Sequence, residues 1–116
     1  DNCHAMGAKL NGSNKYSTKY CDLVIQSYHP VKNFTTGEGG SVLTNNLTIN
    51  KSINLARNHG MIRNSKIKKK FGLWRYFVND LGFNYRLTDI QCSLGISQLK
   101  KLDTFVSKRQ KYSTPG

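Results

Sequence analysis

Long apolar runs are missing from this sequence, and none approaches the length that spans a bilayer. The N-terminus shows no basic-then-apolar secretory pattern either. Cysteine is scarce: Cys3, Cys21 and Cys92 lie far apart with no C-x-x-C pair. That excludes a disulfide framework and fits a reducing cytoplasm. Cys3 and His4 are adjacent, and neighbours in sequence rarely both point at one ion, so no metal site is expected. There is no zinc-finger spacing, no RNP-type string, no heptad after a basic region and no internal repeat. Acid is also in short supply, with six Asp and Glu against 18 Lys and Arg for a formal charge of +12.

What is present suits one globular domain with a core of moderate size: 116 residues, 37% hydrophobic and 21% charged. The sequence starts at Asp1 without an initiator Met and stops at Pro115-Gly116, so we expect a piece of a larger protein. The positive charge is unevenly placed. Of the basic residues, 14 lie from Lys51 onward, densest at Arg63, Lys66, Lys68, Lys69 and Lys70. Such a patch can draw in nucleic acid, an anionic membrane or a phosphorylated substrate, or it can simply be a solvated loop.

Asp1 to Ala8 reads as the exit of a strand into a small-residue turn, and Asn11-Gly12-Ser13-Asn14 as a further turn. Residues 15 to 22 read as loop. Leu23 to Ser27 is a short apolar run suited to a strand covered on both faces. Ser41-Val42-Leu43-Thr44 suits a second strand, turned by Asn45-Asn46. Ile49, Ile53 and Ala56 then recur at helical spacing up to Asn58, with Gly60 as the stop. Residues 61 to 80 show little periodicity and read as a basic excursion with aromatic Trp74, Tyr76 and Phe77. Thr88-Asp89-Ile90-Gln91 has capping-box spacing and predicts a helix start. The helix that follows is apolar on more than one side, as expected of a helix buried on several sides, and its Gly95 permits close approach by a neighbour. A last helix is expected from about Thr104 to Tyr112, capped by Asp103, with Lys108, Arg109 and Lys111 on its exposed side. The order is α/β, yet these strands and helices do not close a sheet alone.

Between the two strands lies Ser27-Tyr28-His29-Pro30-Val31-Lys32-Asn33-Phe34-Thr35-Thr36-Gly37-Glu38-Gly39-Gly40. A lysine held against dry, fixed backbone loses its proton more readily than an exposed one. A neutral amine is what attack on a carbonyl requires. From composition alone an ordinary surface turn with a solvated lysine is the favoured reading, since Gly/Thr loops are common. Asp1 and His4 sit at the expected carboxyl end of a strand, where α/β sheets present ligand groups. Ser27 ends the strand before the lysine. Each has a plainer reading: a terminal carboxylate, a satisfied loop histidine, a strand-end hydroxyl.

The whole string from Ser27 to Gly40 closely resembles the cofactor-lysine motif of the DegT/DnrJ/EryC1/StrS family of nucleotide-sugar aminotransferases. Asp1 to Ala8 is similar to that family's acidic strand end. Arg57-Asn58-His59-Gly60 resembles the end of the helix after the lysine strand. Gly82 to Gln91 and Leu94 to Leu99 resemble the segment near the domain junction, so the resemblance covers nearly the whole chain.

The resemblance implies part of the large domain of a fold-type I transferase, a three-layer α/β/α fold, with an incomplete sheet and helices toward the C-terminus. Residues 1–60 would hold the strands and lysine loop, 61–80 the basic excursion and 81–116 the junction loop and helices. A preceding phosphate-cradling segment and a small C-terminal domain would lie elsewhere. It further implies pyridoxal 5'-phosphate as cofactor, a cytoplasmic homodimer, and glutamate and a nucleotide-linked keto sugar as substrates, with no nucleic-acid or membrane partner and no metal. Lys32 would form the internal aldimine and shuttle protons. Asp1 would pair with the pyridinium nitrogen, His4 would lie against the ring, Ser27 would hold the phosphate, and Asn84 would reach the phosphate in the partner subunit. Family members that dehydrate sugars carry His at the lysine position, so Lys32 favours amination.

Trp74-Arg75-Tyr76, Asp89 to Cys92 and Gln98 to Asp103 most resemble the C4 aminotransferases of pseudaminic acid biosynthesis. These act on a UDP-linked 4-keto-6-deoxy-N-acetyl-hexosamine. Another 3- or 4-keto nucleotide sugar is the alternative substrate. The lysines from 66 to 70 would attract its diphosphate. A reading of another class is a small basic module that contacts nucleic acid between Arg63 and Arg75.

Overall fold

Two short antiparallel strands frame the lysine stretch. β1 (Val24–Ser27) pairs with β2 (Gly40–Leu43) in the register Val24 to Leu43 and Ser27 to Gly40, so residues 28–39 form a loop tied at both ends. The computed structural model describes residues 1–13, 17–62 and 65–113, with nothing described of the side chains of 65, 67 and 68. The expectations for Asn14 to Tyr16, for Arg63 and for the side chain of Lys68 therefore lie outside the described residues.

The chain divides into two compact units, one of Asp1–Asn45 with the chain from Leu87 onward, the other of Asn46–Arg86. In the first unit, the amide of Asn2 donates to the carbonyl of Ile25 at 2.9 Å, which lays the N-terminal segment along β1. Consecutive turns follow, closed by Ala5 N to Asn2 O at 3.1 Å and Ala8 N to Ala5 O at 2.9 Å. Leu10 and Ser13 exchange both backbone bonds around Asn11 (φ 50°) and Gly12 (φ 77°), the conformation that Asn-Gly turns favour. Ser17–Lys19 is a single 3-10 turn.

β1 is covered on one face only, which corrects the two-sided burial expected for it. Val24 and Gln26 are buried, whereas Leu23 and Ile25 are 42% and 52% exposed. The cause is the sheet itself: with β2 as sole partner, alternate residues face opposite sides, and only one side meets packed residues. Phe34 joins Val24 as the buried apolar pair among the described residues, and its ring centroid lies 4.8 Å from that of Tyr28.

The capping box forms as its spacing predicts. The Thr88 hydroxyl accepts from Gln91 N at 3.3 Å and Gln91 Oε1 accepts from Thr88 N at 2.9 Å, opening α3 (Asp89–Leu99). The expectation that α3 is buried on several sides is not met in the described chain, where Ile90 and Ile96 are exposed and Gly95 is its buried residue. Close approach at Gly95 does occur: a Cβ there would stand 2.8 Å from the Thr36 methyl. α4 (Leu102–Ser113) begins two residues before the expected start, so Asp103 lies within its first turn and complements the helix dipole.

In the second unit Asn46 caps α1 (Leu47–Arg57), its side chain accepting from Thr48 N at 2.9 Å and Ile49 N at 3.2 Å. Asn46 is thus a helix cap and not just a turn residue, an Asx role that strands and helices both permit. Ile49, Ile53 and Ala56 are the half-buried side of α1, as the spacing predicts. The helix ends where His59 and Gly60 turn left-handed, φ 59° and 65°. A Cβ on Gly60 would run into the carbonyl of Asp80, so glycine is required there. The excursion contains more order than its sequence suggests: β3 (Met61–Ile62) pairs antiparallel with β4 (Phe77–Val78), and α2 (Ser65–Phe71) lies between them in the chain. Two-residue strands are too short to leave a periodic signal.

Candidate active site

The loop from Tyr28 to Gly39 is built inward from its own polar groups. Tyr28 N donates to Gly39 O at 2.8 Å, continuing the strand pairing by one step, and Tyr28 O accepts from Thr36 N at 3.1 Å and Thr35 Oγ1 at 2.7 Å. The Tyr28 hydroxyl bonds Ser41 Oγ at 2.6 Å. Thr36, buried, donates its hydroxyl to Glu38 O at 2.7 Å, and Gln91 Nε2 of the capping box donates to the same carbonyl at 3.0 Å. The glycine-rich side of the loop is therefore pinned to the start of α3.

On the other side the chain makes a β-turn, His29 to Lys32, closed by Lys32 N to His29 O at 3.0 Å. Pro30 supplies the fixed φ that its second position favours. His29 Nδ1 accepts from Val31 N at 3.3 Å, and its Nε2 stands 3.9 Å from a Glu38 carboxylate oxygen. Asn33 Nδ2 donates to Met6 O at 2.6 Å and His4 O at 3.3 Å, which joins the N-terminal turns to the lysine turn.

That joint brings His4 to Lys32. Their side-chain nitrogens, Nε2 and Nζ, are 2.6 Å apart, though the residues are 28 apart in sequence. An ammonium has three donors and no acceptor, so a charged Lys32 donates to an unprotonated His4 Nε2. A neutral amine could accept from the other tautomer. The contact thus serves either protonation state of the lysine. The dry environment expected for Lys32 is not found: Lys32 is half-buried and borders an open pocket of about 230 Å³, and His4 is exposed. The far wall of that pocket is Gln98, Phe105 and Arg109.

Asp1 and Ser27 belong to the same unit as Lys32. Asp1 is exposed, with Oδ1 accepting from Cys3 N at 2.8 Å, and Ser27 Oγ accepts a long 3.5 Å bond from His29 N. Asn84 belongs to the second unit and is exposed. There Phe83-Asn84-Tyr85 runs beside the end of α1, with Phe83 N on Ala56 O at 2.6 Å, His59 N on Phe83 O at 2.9 Å and Tyr85 N on Arg57 O at 3.0 Å. Arg86 donates to Asn58 Oδ1 at 2.5 Å. Two of the sequence blocks singled out above, 57–60 and 82–86, are therefore one structural piece. The basic cluster is exposed at Lys66, Lys69 and Lys70, while Lys70 and Arg75 lie over the ring of Phe71 at 5.2 and 4.5 Å.

Two groups do more than their sequence pattern signals. Gln91 is a cap that also reaches the lysine loop. Arg109 is exposed, as its helix side predicts, and also donates to the carbonyls of Val31 at 3.2 Å and Lys32 at 2.8 Å. Helical spacing carries no signal of a partner 77 residues away. Among the described residues no group of three or more His, Cys, Asp and Glu is placed to hold a metal, and no helix is long and apolar enough to cross a membrane.

A UDP-4-amino-4,6-dideoxy-N-acetyl-beta-L-altrosamine transaminase of Campylobacter jejuni is 44% identical over 114 residues, 98% of this chain and 28% of that protein. Among solved structures, Spr1654 of Streptococcus pneumoniae in its PMP-form matches with a TM-score of 0.81 at 31% identity, over 96% of this chain and 29% of that one. PseC of Helicobacter pylori, an aminotransferase involved in the biosynthesis of pseudoaminic acid, matches with a TM-score of 0.75 at 35% identity, over 90% of this chain and 26% of its own. The chain thus spans somewhat over a quarter of its relatives' length and carries a part of their fold-type I α/β architecture. The model of the DegT/DnrJ/EryC1/StrS aminotransferase family matches residues 1–114, and with the lysine loop, its histidine contact and the paired 57–60 and 82–86 segments in place, the chain belongs to that family.

Proposed function

We propose that the full-length protein is a pyridoxal 5'-phosphate-dependent aminotransferase that moves an amino group from glutamate to C4 of a UDP-linked 4-keto-6-deoxy-N-acetyl-hexosamine. The observation that carries this reading is Lys32, its amine presented at the edge of a fully braced loop and 2.6 Å from His4. The similarity to transaminases of that substrate class supports the choice of sugar. Cytoplasmic location and a homodimer complete the reading. The exposed apolar side chains Ile25, Val42, Ile90 and Ile96 would be covered by the remainder of the large domain, with a small domain formed by other residues.

The residues present fit the cofactor in chemistry. An amine and an imidazole already share one edge of the first unit, and a carboxylate and a strand-end hydroxyl belong to that unit too. When bound, pyridoxal phosphate supplies the electron sink that lets a carbon next to nitrogen lose its proton. Lys32 Nζ would be the base that takes that proton and returns it to the carbon on the other side of that nitrogen. His4 Nε2 keeps the amine aimed through its hydrogen bond. The Asp1 carboxylate would hold a proton on the cofactor's ring nitrogen, and the Ser27 hydroxyl would bind its phosphate. Asn84 would bind the phosphate of the partner subunit's site.

The test is product formation. Full-length protein with glutamate and the UDP-linked 4-keto sugar should yield the 4-amino sugar, seen by mass spectrometry. Amination of a differently linked keto sugar alone would move the substrate assignment within the same chemistry. No amine from any nucleotide-linked keto sugar would end the reading.

A further inference from the structure

Arg109 stands on α4, remote in sequence from the lysine loop, yet its guanidinium spans two consecutive carbonyls of the lysine turn. Nη1 donates to Val31 O at 3.2 Å and Nη2 to Lys32 O at 2.8 Å. These carbonyls belong to the last two residues of the Pro30 turn, at the point where the chain leaves the turn toward Asn33. Among the turn and loop bonds of the described residues neither carbonyl has a backbone donor, and a guanidinium fork matches two adjacent acceptors as a single ammonium cannot. The Lys32 side chain springs from the residue whose carbonyl takes the shorter bond.

We infer that Arg109 is a positioning residue for Lys32: it fixes the plane of the Val31–Lys32 turn, so that Nζ is delivered to His4 and to the substrate side. The inference rests on the aminotransferase reading for what Lys32 does, but the geometric claim is independent of it. The two sides of the lysine residue are held by different means. Asn33 ties the next residue to Met6 and His4, while Arg109 ties the lysine's own backbone to α4. α4 in turn packs toward the N-terminal turns, where a Cβ on Gly7 would stand 2.9 Å from Val106 Cγ2 and 3.5 Å from Leu102 Cγ. Helix, N-terminal turn and lysine turn therefore form a closed circuit of contacts, and Arg109 is the link in it that bears directly on Lys32. A displacement of the reacting atom by about 1 Å can cost about a hundredfold in rate, so a backbone clamp of this kind has leverage far beyond its own bonds.

The experiment compares Arg109→Lys, Arg109→Met and Lys108→Met in the full-length protein. Lys108 is exposed on the same helix and serves as the control. The first readout needs no cofactor: the rate at which an amine-selective acylating reagent modifies Lys32 in cofactor-free protein, followed by peptide mass spectrometry. The second is kcat against KM in the loaded enzyme. Both Arg109 variants should change the Lys32 labelling rate at least about threefold and lower kcat about 10- to 100-fold, with sugar KM within about twofold, because aim is lost and not binding. Lys108→Met should match the parent in both readouts. Labelling unchanged in both Arg109 variants, or a loss that falls wholly in KM, overturns the inference. If the Met variant does not fold, the Lys variant decides it, since it keeps charge and length but not the fork. A parent protein that binds no pyridoxal phosphate would overturn the aminotransferase reading, and the labelling rates would still decide the role of Arg109.

Discussion

The two compact units solve the same problem, how to hold a loop still, by different means. In the first unit side chains do it. Asn33, Thr35, Thr36, Gln91 and Arg109 each reach a backbone carbonyl of the lysine loop or its neighbours. In the second unit backbone pairing does most of it: the segment 83–85 runs along 56–59, Asn79 N bonds Gly60 O at 2.9 Å, and two residues of β3 pair with two of β4. Side-chain ties allow a backbone with no regular geometry to be fixed, which is what a loop presenting one amine requires. Backbone ladders fix spacing without tying up every side chain, and here Phe77, Val78, Phe83 and Tyr85 on the paired segments stay exposed. The difference teaches where sequence changes will hurt: at individual polar side chains in the first unit, and at backbone-critical glycines in the second.

The sharpest way to break that contrast is Gly60. Gly60→Ala places a Cβ against the Asp80 carbonyl at a left-handed φ, and should cost about 2–4 kcal/mol of local stability. Hydrogen exchange at the Asn79 amide, which depends on Gly60 O, should speed up accordingly while exchange at Tyr28 stays as in the parent. Equal acceleration at both would show that the units do not open separately. In the first unit Gly95→Val should cost about 1–3 kcal/mol in thermal unfolding, because the buried Thr36 methyl can yield only by rotating its hydroxyl off Glu38 O. Its effect should appear at the Thr36 amide first. The smallest change is the pair of cap removals. Thr88→Ala and Asn46→Ala should each cost about 1 kcal/mol, but only Thr88→Ala, which also loosens Gln91, should increase protease cleavage between Gly37 and Gly40.

What the sequence made legible follows the same divide between local and distant causes. The α3 capping box, the α1 face and the two strands around Lys32 rest on residues within a few positions of each other, and all are found where their spacing puts them. The Lys32–His4 contact crosses 28 positions and Arg109 to Lys32 crosses 77, and no periodic pattern encodes either. Resemblance of the whole string to a known motif, not composition, set Lys32 apart from a surface lysine. Apolar content in β1 and α3 indicates that a face wants covering, not that the described residues supply the cover, and Ile25, Ile90 and Ile96 stay exposed.

The central claim is that Lys32 is the reactive amine of a pyridoxal phosphate enzyme. Full-length protein mixed with pyridoxal phosphate should show a visible absorbance band that borohydride abolishes and that glutamate shifts, with the reduced cofactor found on the Lys32 peptide. Lys32→Ala should lack the covalent label, and lose at least roughly a thousandfold in amino transfer from glutamate. A label on another lysine, or amino transfer at the parent's rate in Lys32→Ala, would contradict the account.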